Sequence, residues 1–182
     1  MFIGHFAVAL AAKRATPVVS LGWLFLACQL ADLVWPTLVL FGVEHFTIDP
    51  GNTAFTPLNF AYYPYSHSLV ALALWGMAAA VLYLVLNRST VVAAGAVGLT
   101  VVSHWVLDVI SHRPDMPLTI AGPTHLGFGL WQSVPATVIV EAVMLALGLG
   151  LYLRTTRSRD RIGSVGFWSL MVMLLLISVA NI

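Results

Sequence analysis

The sequence predicts an all-α fold: a polytopic helical membrane bundle with five transmembrane helices plus a short N-terminal membrane-inserted helix, forming one integral membrane domain over residues 1–182. Three observations predict it. First, 60% of the residues are hydrophobic and only 8% are charged, with a mean hydropathy of +0.95. A soluble domain carries about 25% charged residues, so there is too little charge here to coat a water-facing surface. Second, apolar stretches of the length that a bilayer core requires recur along the chain. Third, Lys and Arg gather in alternate loops, the pattern that orients membrane helices.

The elements follow in order. The start, MFIGHFAVALAAKRA, holds its positive charges, Lys13 and Arg14, after the apolar run. A secretory signal peptide has them before it, so residues 2–15 read as a retained segment too short to span without tilt or bilayer thinning. Five full spans are expected at 19–42, 66–87, 90–112, 129–153 and 163–182. Lys and Arg place the loops 13–18, 88–90 and 154–162 in the cytoplasm, with both termini and the loops 43–65 and 113–128 on the outer side of the cell membrane. Pro50, Gly51, Pro57 and Pro64 forbid a long helix in the first outer loop. Pro114, Pro117 and Pro123 act likewise in the second, and the two loops are either a joint lid or two interfacial connections.

Composition also excludes classes. The net charge is +1 and no Lys/Arg patch lies on a soluble face, so no nucleic-acid partner is expected. Cys28 is the only cysteine, which rules out an intrachain disulfide and a thiolate-only metal site. There is no G-x-S-x-G elbow, P-loop, Gly-rich dinucleotide motif, C-x-x-C or H-E-x-x-H.

The stretch SHWVLDVISHRPD carries His104, Asp108 and His112 at four-residue spacing, which stacks them on one helix face. Such groups are costly in a membrane unless they meet a partner, a metal or water. On the expected topology His5 lies near the outer end of the first segment, Asp32 midway along the second with Gln29 one turn before it, and His67 at the outer start of the third. His104 and Asp108 lie about 12 and about 6 Å below the outer end of the fourth. Glu141 lies about halfway down the fifth. Histidine with carboxylate is the ligand chemistry of zinc, manganese or iron, and one helix supplying His-x3-Asp matches known helical metal sites.

Each residue also has a plainer reading. His5 is an interfacial histidine; Asp32 and Glu141 are hydrogen-bonded packing groups; Ser66 and Ser68 beside His67 cap a helix start. His112 and Asp115 lie at a helix end and read as interfacial, or as accessory to the site together with Gln29. His45 and His125 are loop residues, and the Trp and Met side chains read as packing.

Together these residues resemble a known family. His5 near the start, LADLVWP, SHS opening a helix and SHWVLD look like the YdjM-like family of predicted membrane-bound metal-dependent hydrolases. That family is distantly similar to zinc-dependent phospholipase C and zinc nucleases. The resemblance covers residues 1–153 and implies metal ligation by His5, Asp32, His67, His104 and Asp108. It departs in two places: the family's P-D-x-D stands here as Gln29-Leu30-Ala31-Asp32, with one carboxylate missing, and the second His-x3-carboxylate pair of the related soluble enzymes is absent, with Glu141 or His112 as candidate substitutes, so one or two metals are expected rather than three.

Two functions from different classes compete. One is a metal-dependent hydrolase of a phosphoester or lipid-linked substrate reached from the outer side. It would use a divalent metal, zinc first and manganese second. Asp108 or Glu141 would be its general base, and Tyr62, Tyr63 and Tyr65 would hold a lipid-like substrate or membrane lipid. The other is a metal-ion or proton transporter that uses the same buried cluster as its path. A structural or partner-binding protein with a polar core is a third reading. The apolar inner halves, AAAVLYLVL and ALGLGLYL, favour a one-sided site.

Overall fold

A computed structural model describes residues 1–181. Eight helices dominate: α1 Ile3–Ala15, α2 Leu21–Cys28, α3 Leu30–Leu40, α4 Pro64–His67, α5 Leu69–Asn87, α6 Val91–Ser111, α7 Val134–Thr155 and α8 Arg161–Ala180. Four of them (α5, α6, α7 and α8) are long and apolar enough to cross a membrane, and α2 with α3 makes a fifth if the bent pair is counted as one span. The starts are written in the sequence. Ser20, Ser68, Thr90, Ser133 and Asp160 each accept a hydrogen bond from the backbone N–H three residues on. Each thereby satisfies one of the donors a helix start leaves free.

Two expected spans are interrupted. The stretch 19–42 breaks at Gln29, where the backbone leaves the helix (φ −105°, ψ 5°) and α3 turns 47° from α2. The expected start at 66 splits at Ser68, whose extended backbone separates α4 from α5 and lets its hydroxyl cap Ala71. α1 is confirmed as short: its 13 residues are about 20 Å long.

Close approaches of small residues set the packing. Gly76 of α5 faces Gly98 of α6 so tightly that a Cβ on Gly76 would lie 2.7 Å from the Gly98 carbonyl oxygen. Gly148 of α7 is pressed onto the Ala7 backbone of α1 in the same way. Without a hydrophobic drive between helices in lipid, contacts of this kind hold membrane bundles together. Leu24, Leu72, Val97 and Val101 form the fully buried centre. Leu74, Met77, Val81 and Val85 leave the outer face of α5 apolar and exposed.

The loops 43–65 and 113–128 hold no long helix, but each carries a small antiparallel hairpin that the sequence did not announce. β1 His45–Ile48 pairs with β2 Leu58–Tyr62, and β3 Met116–Pro117 pairs with β4 His125–Leu126. The two loops are joined. Arg113 donates to Asn59 Oδ1 at 2.6 Å and Tyr63 to Asp115 at 3.2 Å, and just beyond the second loop the Trp131 carbonyl accepts from the Phe55 N–H at 3.1 Å. They form one cap over the end of the bundle where α1 starts and α6 ends. Lys13, Arg14, Arg88 and Arg154 lie toward the opposite, basic end.

Candidate metal centre

Five polar side chains from four helices meet beneath the cap. His104 and Asp108 come from one face of α6, with His104 Nε2 3.0 Å from Asp108 Oδ2. His5 of α1 brings Nε2 to 3.2 Å from Asp108 Oδ1, and its ring stacks on that of His104 with centroids 3.8 Å apart. His67 of α4 places Nε2 3.5 Å from Asp32 Oδ1 and 3.9 Å from Asp108 Oδ2. Asp32 of α3 closes the ring, 3.7 Å from His104 Nε2. His5, His67, His104 and Asp108 are buried, whereas the Asp32 side chain is 42% exposed. The residues expected as ligands from sequence are thus brought together. Two ligand-capable groups result, His5–His104–Asp108 and Asp32–His67–His104, which share His104.

Local structure explains why these side chains aim inward. The helix break leaves the Cys28 carbonyl at the end of α2, where the intrahelical partner is lost. His104 Nδ1 lies 2.8 Å from that oxygen. A carbonyl only accepts, so Nδ1 carries the proton and Nε2 presents its lone pair to the cluster. One lone pair serves one ion, so His104 completes one of the two ligand groups at a time. Glu141 anchors the other side. From α7 its carboxylate accepts from the Phe2 N–H at 3.1 Å and the Ile3 N–H at 2.8 Å, fixing the start of α1 two residues before His5. The Met1 nitrogen lies 2.7 Å from Asp108 Oδ1 and 3.1 Å from Ser111 Oγ.

The arrangement fits a metal. Both ring nitrogens of His5 and Nε2 of His104 are buried with no hydrogen-bond partner, a costly state for polar atoms. Tetrahedral zinc with ligand bonds of 2.0–2.1 Å separates its ligand atoms by about 3.3 Å. The histidine-to-carboxylate spacings, from 3.0 to 3.9 Å, bracket that value.

A cavity of about 600 Å³ opens onto the cluster. His5, Asp32, His67 and Asp108 line it, opposite an aromatic wall of Trp35, Phe55, Phe60 and Trp131. Not every residue expected at the site lines this cavity. Tyr62, Tyr63 and Tyr65 do not line this cavity; they line a separate groove of about 650 Å³ beside Pro114 and Thr119. Tyr63 is buried, bonded to Asp115, and its hydroxyl is pushed well above its ordinary pKa by burial and by that carboxylate. The aromatic chains at the site include the tryptophans, which sequence reading assigned to packing alone. Glu141 does not line the cavity either, because both its oxygens are taken by the α1 backbone. Gln29 sits at the helix break, also away from the cavity wall. His112 lines the wall without joining the ligand groups; its Nδ1 is 3.0 Å from Asp115, and its ring packs 4.3 Å from Trp131.

One residue escaped sequence reading altogether. Glu44 is fully buried, and its carboxylate accepts from the Tyr65 and Ser66 N–H groups and from the Ser66 hydroxyl. An acid in a proline-rich loop gives no signal of burial. No protein-family model matches the chain, and neither a curated protein nor a solved structure matches it.

Proposed function

We propose that the chain is a membrane-embedded metal-dependent hydrolase of a phosphoester or lipid-linked substrate, with zinc as its metal, consistent with the resemblance to YdjM-like proteins. One observation carries the reading: ligand-type side chains from four helices converge, two imidazoles with unpartnered buried nitrogens, at the floor of an aromatic-walled cavity. On this reading five spans cross the cell membrane, the short α1 is inserted beside them, and the cap and both termini face outward, as the Lys/Arg distribution requires.

His5, His67, His104 and Asp108 would hold the ion, with Asp32 beside them. A divalent ion supplies Lewis acidity toward a phosphoryl oxygen and toward water. The protein's own groups do the rest. Asp108 is buried among imidazoles and would be a ligand. Asp32 has the exposed carboxylate and is placed to take a proton from water entering by the cavity. The aromatic wall gives an apolar surface for the organic part of the ester.

Beneath the cluster the centre of the bundle is filled by fully buried Leu10, Leu24, Val97 and Val101, which supports a one-sided site over a transport path. Asp108→Asn keeps the volume and removes the charge. It should abolish zinc-dependent release of product from a phosphoester lipid while the protein still inserts and folds. Asp108-dependent ion flux in reconstituted vesicles, with no product from any phosphoester, would overturn the hydrolase reading in favour of a transporter.

A further inference from the structure

We infer that Glu44 is a positioning residue that acts through Ser66 to set the tautomer and aim of His67. The inference rests on the metal reading above for its consequence, though not for its geometry. Glu44 is 0% exposed, and among the described residues no cation pairs with it. A buried carboxylate without a counter-ion is expensive and is tolerated only with several hydrogen bonds. Glu44 Oε1 accepts from the Tyr65 N–H at 2.8 Å and the Ser66 N–H at 2.9 Å, and Oε2 accepts from Ser66 Oγ at 2.6 Å.

Proton accounting then fixes His67. Ser66 Oγ lies 2.7 Å from His67 Nδ1. The hydroxyl has one proton, and the short contact to the carboxylate takes it. The oxygen facing His67 is therefore an acceptor, so Nδ1 carries the ring proton. Nε2 keeps its lone pair and points at Asp32 and Asp108. The relay also ties two ligand helices together, because the Glu44 N–H donates to the Leu38 carbonyl of α3, the helix of Asp32, while its side chain holds α4, the helix of His67. Partners of this kind behind a ligating imidazole fix its orientation and raise its basicity.

Glu44→Gln gives a sharp test because it reverses the relay without changing the volume. The amide donates to Ser66 Oγ, the hydroxyl turns to donate to His67 Nδ1, and the ring proton moves to Nε2. Ser66→Ala removes the relay and leaves the tautomer unset. The full-length protein in detergent, labelled with 15N-histidine, should show the Nδ1–H form of His67 in the metal-free wild type, with the signal identified by its absence in His67→Asn. Glu44→Gln should show the Nε2–H form and Ser66→Ala a mixture. With zinc alone as the probe, competed against a chromophoric chelator, both variants should bind about 10- to 100-fold more weakly. A wild-type Nε2–H tautomer, or Glu44→Gln with unchanged tautomer and zinc affinity, would overturn the inference. If Glu44→Gln fails to fold, Ser66→Ala decides it by the same two measurements. If the wild type binds no zinc, the metal reading fails, and the tautomer measurement still decides the role of Glu44.

Discussion

His104 and Cys28 are joined across the break between α2 and α3, with His104 Nδ1 2.8 Å from the Cys28 carbonyl oxygen. In an unbroken helix that carbonyl would accept from the N–H four residues on, that of Asp32. Ending α2 at Cys28 supplies the acceptor that orients His104, a proposed ligand, and starting α3 at Leu30 carries Asp32, the proposed proton acceptor, toward the cavity. A departure from regular structure therefore serves two positions of the same site.

The role of Glu141 separates two accounts of the chemistry. If it anchors α1, Glu141→Ala leaves the Phe2 and Ile3 N–H groups without acceptors at a cost of about 1–3 kcal/mol. The apparent melting temperature should fall and zinc affinity should weaken as His5 loses its footing. Glu141→Gln keeps one acceptor oxygen and should recover much of both. A general base would behave differently: Glu141→Gln would stop turnover at unchanged stability and unchanged metal affinity.

The contact between α1 and α7 should be intolerant of bulk. A Cβ at Gly148 would collide with the Ala7 carbonyl. Gly148→Val should cost about 1–3 kcal/mol by overpacking and weaken zinc binding through displacement of α1. Gly150→Ala is the control, because nothing lies within 4 Å of a Cβ there. Thermal melts in one detergent read both, and equal loss from the two variants would refute the close approach.

Sidedness can be read with single cysteines, since the native Cys28 is only 1% exposed and contributes little background. Asp49→Cys in the cap should react with a membrane-impermeant maleimide on intact cells. Ser158→Cys at the basic end should react only after permeabilisation. The reverse pattern would invert the orientation derived from Lys and Arg.

The long helices were legible in the sequence because each is an apolar run of the length a bilayer core requires; their caps, as at Thr90 before α6 and Asp160 before α8, emerged only in the structure. Ser68 was read as a cap and does cap Ala71, but the break at Gln29 was not legible, because LACQLAD carries no helix-breaking residue and only a distant partner, His104, makes use of the interruption. His-x3-Asp on α6 could be read from helical spacing, and His5, Asp32 and His67 stood out as polar groups in apolar surroundings. The tyrosines lie where β2 passes into α4, and that junction, which the sequence does not reveal, directs them to another groove. Glu44 and the tryptophans stayed hidden for a common reason: burial beneath a loop cap depends on contacts from residues distant in the chain, and neither periodicity nor composition records those.

The most direct measurement is the metal content of the purified full-length protein by elemental mass spectrometry, before and after chelator. The account predicts about one zinc per chain in the wild type, from the single imidazole lone pair shared by both ligand groups. It predicts loss of that zinc in His104→Ala and Asp108→Ala, and retention in His45→Ala and His125→Ala, whose side chains lie outside the ligand groups. Equal metal in the wild type and in the His104→Ala/Asp108→Ala double variant would contradict it.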